Sequence, residues 1–186
     1  MAYAHDTEVA LVAAAALVNT LVSAERDDHD PLATRAGLDA FLTEYPYSAR
    51  IDGDDRELRE VRAMRPRVHA LWTAADKDAA VAVVNDLLRA TNARPYLSRH
   101  DEWDWHLHVT DPTQPLAEQM GAEAAMAVAD LIRADDLQRL RICEAPDCEA
   151  VLVDLSRNRS RRFCDTGNCG NRLNVAAYRA RKASAS

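Results

Sequence analysis

The sequence predicts a mostly helical α+β domain with a small β-hairpin over residues 1–140, followed over residues 141–186 by a small cysteine-clamped module of hairpin and helix. Three observations lead there. Long alanine-rich amphipathic stretches with few aromatic residues fill the first three quarters of the chain, the periodicity changes to alternation near residue 95, and all four cysteines fall in the last quarter.

Taken in order, residues 6–25 read as a helix with Val9, Val12, Ala13, Ala16, Leu17, Thr20 and Leu21 along one apolar face. Its start is acidic, and the apolar run from Val9 to Val22 is short and interrupted by Asn19 and Thr20, so it is expected to be a core helix rather than a signal or membrane anchor. A cytoplasmic protein with no membrane partner follows from that reading. Thr34 is an N-cap for a second helix carrying Leu38, Phe41 and Leu42. "DDRELREVRAMRPRVHALWTAAD" is a third, kinked or interrupted at Pro66, and Asp76 caps a fourth. "RPYLSR" and "WDWHLHVT" then read as two strands joined by "HDE". A final helix is expected from Pro115 to about Leu140, leading directly into Cys143.

His100, His106 and His108 lie close together, but Trp105, Leu107 and Val109 alternate with the last two, which places those histidines on the solvent or second face of a strand. Trp72, Tyr96, Trp103 and Trp105 read as core residues. The sequence has no Gly-rich phosphate loop, nucleophile elbow or H-E-x-x-H string, so no catalytic residue is assigned and the protein is not expected to be an enzyme.

The cysteines form two C-x4-C pairs, Cys143/Cys148 and Cys164/Cys169, separated by fifteen residues. In a reducing compartment two structural disulfides are disfavoured, and paired cysteines on either side of a short insert read as a four-thiolate zinc site. Turn-forming residues inside each pair let the backbone bend around an ion, which takes four sulfurs tetrahedrally at about 2.3 Å. Four thiolates leave no open position for water, so the zinc is expected to be structural. A module this small buries little apolar surface, and the ion would supply on the order of 10 kcal/mol of its folding free energy. Within "EAVLVDLSRNRSRRF", Val151, Val153 and Leu155 read as a strand, "SRNRS" as a turn and "RRF" as the returning strand. After Cys169 a helix carries Leu173, Ala177 and Ala180 as its apolar stripe. Hairpin, cysteine pair and helix in that order make a treble-clef or ribbon-like zinc finger.

Charge is divided unequally. Residues 1–136 carry 13 basic and 25 acidic side chains, whereas residues 137–186 carry 10 basic and 5 acidic. Arg157, Arg159, Arg161, Arg162, Arg172, Arg179, Arg181 and Lys182 are the candidate nucleic-acid contacts, since guanidinium groups bind phosphate bidentately and reach guanine edges. DNA is the expected partner, with RNA as competitor; an adaptor that offers these arginines to an acidic protein is the alternative. Arg172 and Asn171, beside a ligand, also suit hydrogen bonding to thiolate sulfur, and Gly170 suits relief of crowding around the ion. The acidic body is expected to receive a small-molecule effector or a protein partner. Analogy with helical regulators adds a homodimer.

The string "LVDLSRNRSRRFCDTGNCGNRLNVAAYRARK" resembles the CGNR zinc finger family, named for the tetrapeptide Cys169-Gly170-Asn171-Arg172. Asp154, Ser156, Arg157, Asn158, Arg161, Arg162, Phe163 and Tyr178-Arg179-Ala180-Arg181 are similar to that family's pattern too. Residues 5–135 resemble its usual N-terminal partner, the ABATE domain, through "LVNTLV" and "PLATRAGLDAFL". The resemblance implies a stress-induced transcription regulator whose finger binds nucleic acid.

Overall fold

An alanine-rich helix that is apolar on most of its circumference needs neighbours on most sides, and α1 (His5–Asp27) has them in α3 (Asp55–Thr73) and α5 (Leu116–Arg133). The computed structural model describes residues 3–27, 29–99 and 104–184. α2 (Arg35–Glu44) rests on α3, and α4 (Lys77–Ala90) packs against α3 and α5. Small residues on α5, Gly121, Ala122, Ala124, Ala125 and Ala127, bring these helices close together. The buried face of α1 runs through Leu11, Ala14, Ala15, Val18 and Val22. Of the expected face, Ala13, Leu17 and Thr20 are buried too, whereas Val9 and Val12 are 38% and 44% exposed. Alanine on nearly every side gives the helix no dominant stripe, so its neighbours choose the face. His5–Ser23 is long and apolar enough to cross a membrane by length and composition, yet here most of it is buried as a core helix.

The caps hold as expected. Thr34 accepts from Gly37 N at 3.2 Å, and Asp76 from Ala79 N at 2.8 Å; Asp54 does the same for α3 through Glu57 N at 2.8 Å. α3 runs continuously through Pro66. α5 stops at Arg133, short of the expected Leu140: Asp135 takes a left-handed φ of 55°, and a single 3-10 turn, Leu137–Arg139, leads into β3 (Leu140–Ile142).

Two small antiparallel sheets complete the fold. β1 (Tyr96–Ser98) pairs with β2 (His106–His108), Leu97 opposite Leu107. The expected "HDE" link, with His100 and Trp103, lies outside the described residues. The predicted facing of β2 is reversed. Trp105 is 63% exposed beneath the Arg99 guanidinium, Leu107 is exposed, and His108 is buried and stacked on Tyr96. In a three-residue strand with polar and apolar residues of similar size, alternation marks two faces without saying which is inside.

In the second sheet β3 pairs with β4 (Val151–Val153), Leu140 opposite Val153. The strand at Val151–Val153 is where the sequence placed it, but its partner precedes Cys143 instead of following the "SRNRS" turn. Residues 156–162 form a loop. β4 divides two cores: Val151 and Val153 enter the helical core, while Leu152 between them packs with the four cysteines, Phe163 and Leu173. α1 closes the outer edge of β4 through Asn19, whose amide donates to Val151 O at 3.0 Å and accepts from Val151 N at 2.8 Å. Trp72 Nε1 donates to Leu152 O at 3.0 Å.

Candidate metal centre and basic surface

Each cysteine pair is bent by its own turn. In the first, Cys143 N donates to Ala150 O at 2.8 Å and Cys148 N to Ala145 O at 3.1 Å. In the second, Asn168 N donates to Asp165 O at 2.8 Å, Asn168 adopts φ 46°, and α6 (Cys169–Ser184) starts at the cysteine itself. The four buried Sγ atoms lie within 4.8 Å of one another. Cys148 and Cys164 Sγ are 3.6 Å apart, and Cys164 and Cys169 Sγ 3.7 Å. Sulfurs at the corners of a zinc-sized tetrahedron would be separated by about 3.8 Å, so the donor set fits such an ion. Gly167 completes the cradle: a Cβ there would stand 2.9 Å from Cys169 Sγ and 3.6 Å from Cys164 Sγ.

The electrostatics ask for a cation. Burial pushes the Cys148 and Cys164 thiols up, the latter to about 12. At Cys169 burial acts in the same direction but is outweighed by the Arg172 guanidinium and the neighbouring sulfurs, which hold its thiol below the ordinary value.

Arg172 is therefore part of the centre's frame. It donates to Cys169 Sγ at 3.5 Å and forms a two-pronged pair with Asp147 of the first loop, one bond being 2.8 Å, so it ties the two cysteine loops together. Asn171 is exposed and makes no hydrogen bond to sulfur among the described residues. Gly170 faces Phe163, 3.5 Å from where a Cβ would lie, and not the sulfurs; the close approach predicted there belongs to Gly167.

Of the other seven candidate contacts, three are engaged within the chain. Arg159 pairs with Asp136 at 2.5 Å from a left-handed φ of 50°, Arg161 pairs with Asp165, and Arg162 pairs with Glu144 at 2.5 Å. Sequence charge counting missed these carboxylates because all but Asp165 reach the loop from elsewhere in the chain. Arg157, Arg179 and Arg181 are exposed and have no ion-pair partner among the described residues. Lys182 is exposed as well. The predicted apolar stripe of α6 holds only at Leu173; Ala177 and Ala180 are exposed, as are Val175 and Tyr178.

The basic loop is anchored from beneath. Buried Asp154 accepts from Ser156 N at 3.0 Å, Ser156 Oγ at 2.5 Å and Arg161 N at 2.9 Å. Burial raises its pKa, but these bonds and Arg141 outweigh it and hold the carboxyl below the usual range. Buried Arg139 donates to Asp136 at 2.9 Å and to the carbonyl of Asp154 at 2.7 Å, and Tyr3 closes on Asp136 at 2.5 Å. The loop is thus wired to the N-terminus of α1.

The helical body holds a cavity of about 380 Å³ between α1, residues 46–48, β2 and α5. His106 and His108, read from sequence as lying on the solvent or second face of a strand, line it. So does Glu123, which the sequence did not single out.

Residues 139–182 match the CGNR zinc finger, and residues 11–135, about two thirds of the chain, match ABATE, described as "Putative stress-induced transcription regulator". The chain belongs to the ABATE family. No curated protein matches it. The ABATE description names a transcription regulator, and the assignment of the chain to a regulator domain and a zinc finger is consistent with a non-enzymatic role for this ABATE protein. Its four-cysteine cluster falls within the CGNR match, whereas the cavity is lined largely by the ABATE match.

Proposed function

We propose that this ABATE protein is a transcription regulator in which a structural zinc, held by Cys143, Cys148, Cys164 and Cys169, orders residues 141–186 as a DNA-binding module. Residues 1–140 receive the input. One observation carries this reading: among the described side chains α6 buries nothing beyond Leu173, and its last turns carry Arg179, Arg181 and Lys182, with Arg157 on the loop of the same module. A helix that leaves its own fold and concentrates cations is suited to a polyanion. The body, with 25 acidic against 14 basic side chains over residues 1–140, repels the same partner and so restricts contact to the tail.

The test is a titration of zinc-loaded protein against random-sequence duplex DNA, RNA and single strands, followed by fluorescence anisotropy. Duplex DNA is expected to bind best, with log affinity falling against log salt by about 0.9 per neutralised phosphate. The variant Arg157→Ala/Arg179→Ala/Arg181→Ala should shallow that slope by roughly two to three contacts. Arg161→Ala/Arg162→Ala should change it less, because those guanidinium groups already hold carboxylates. A flat salt response, or no binding at low salt, would overturn the reading. Val175 and Tyr178, 47% and 60% exposed on α6, favour a second reading as a protein adaptor, which the same failure would promote.

A further inference from the structure

The cavity in the helical body has an unusual wall. Asp6, Glu123 and Asp130 face it, and no lysine or arginine does. Two of these carboxylates are already engaged: Asp6 accepts from Leu107 N at 2.9 Å, and Asp130 accepts from Thr7 Oγ1 at 3.0 Å and from Arg133 at 3.3 Å. Glu123 is different. One of its oxygens accepts from Gln119 Nε2 at 2.6 Å, and the other has no hydrogen-bond partner among the described residues. Glu123 is half-buried and lines the cavity. Burial, with a smaller contribution from Asp6, pushes its pKa up to about 7. The Tyr47 hydroxyl likewise makes no hydrogen bond among the described residues, and burial beside Glu123 pushes its pKa up, so it stays neutral.

The two histidines of the wall meet nitrogen to nitrogen. His106 Nδ1 lies 2.8 Å from Asp104 O, a carbonyl that only accepts, so this nitrogen carries hydrogen. His106 Nε2 and His108 Nε2 are 3.0 Å apart and share one proton, which makes His108 the donor when both rings are neutral. The remaining wall is mostly apolar, including Val9, Leu107 and Met126, with the hydroxyls of Thr7 and Ser48 as its other polar groups. Among the described residues only the four cysteines gather three or more ligand atoms closely enough for an ion, so the geometry does not favour a bare metal here. A carboxylate enclosed without a counter-charge, next to an apolar wall, is matched by a cation that carries its own apolar body.

We infer that this cavity binds a small organic monocation of the alkyl- or arylalkylammonium class, its charge held by Glu123 and Tyr47 and its body laid against Val9, Leu107 and Met126. This identifies the ligand class for the input and rests on reading the helical body as the input module. Binding requires ionised Glu123, so affinity rises with pH through about 7 and levels off above it. Other groups facing Glu123 are Asp6 on α1, Tyr47, His106 and His108 on β2, and Gln119 and Asp130 on α5.

The experiment is isothermal titration calorimetry of the zinc-loaded full chain at about pH 8, where Glu123 is ionised, with hexylammonium and benzylammonium as probes and hexanol and hexanoate as neutral and anionic controls. Saturable binding is expected for the ammonium ions alone. Glu123→Gln retains the bond from Gln119 and should weaken binding roughly 10- to 100-fold, while its melting temperature at that pH stays at or above wild type. Ala10→Leu, which fills the cavity without touching a charge, should weaken binding as well and serves if the first variant fails to fold. No saturable heat with either ammonium ion, equal binding of hexanoate, or unchanged affinity in both variants would overturn the site. Anisotropy on duplex DNA with and without hexylammonium separates the two readings. If ammonium binds without moving DNA affinity, the ligand class stands and the input role falls; if DNA binds and ammonium does not, the cavity proposal falls alone.

Discussion

At Gly167 a hydrogen in place of a methyl group decides whether four sulfurs can converge. An added Cβ would lie 2.9 Å from Cys169 Sγ, and a sulfur held in a tetrahedron is not a flexible tip that can step aside. Gly167→Ala is expected to cost on the order of 1 to 3 kcal/mol of metal affinity, read by competition with a chromophoric chelator. Gly170→Ala, 3.5 Å from Phe163, should leave affinity within a few-fold of wild type. The four cysteines were legible because ligand spacing lies along the chain. Gly167 was not, since its crowding depends on how its own turn folds the Cys164 and Cys169 sulfurs back over it, which spacing alone does not show. The arginines teach the same lesson: Asp147 lies 25 residues before Arg172, and counting charges cannot show that they meet.

Among the elements, β4 depends most on a residue far from it. Asn19 satisfies both the N–H and the C=O of Val151, a residue 1% exposed and 132 positions later. Asn19→Ala strands both groups away from water and should destabilise the protein by roughly 2 to 4 kcal/mol. Urea denaturation followed by far-UV circular dichroism measures this; a loss within about 0.5 kcal/mol, the range of ordinary surface changes, would show that β4 does not need this edge. In the sequence Asn19 was legible only as a break in an apolar run, because its partner is set by tertiary packing. Helices were read well where side-chain caps mark their starts, as at Thr34 and Asp76. The end of α5 was not, since the stop is made by Asp135 in a left-handed conformation with no glycine or proline to announce it. Three-residue strands carry too little pattern to name a partner or a buried face, which is why the hairpin and the histidines of β2 were placed differently.

For the whole molecule, the two cores share a wall. Val151 and Val153 belong to the helical core and Leu152 to the cysteine core, so loosening the metal centre reaches the body. Chelation should therefore do more than fray the tail. Withdrawal of the two valines alone would cost the helical core about 3 to 6 kcal/mol, and the main thermal transition is expected to move down in excess chelator. A body that melts at an unchanged temperature after verified metal loss would show that the wall stands by itself. The shared strand also bears on how such chains can be recombined. Grafting the basic tail onto an unrelated helical body would leave one side of β4 without its asparagine clamp, its indole donor and its valine sockets. A working chimera must carry the counterparts of Asn19 and Trp72 with it, so this tail is inherited as half of a matched pair rather than as a portable cassette.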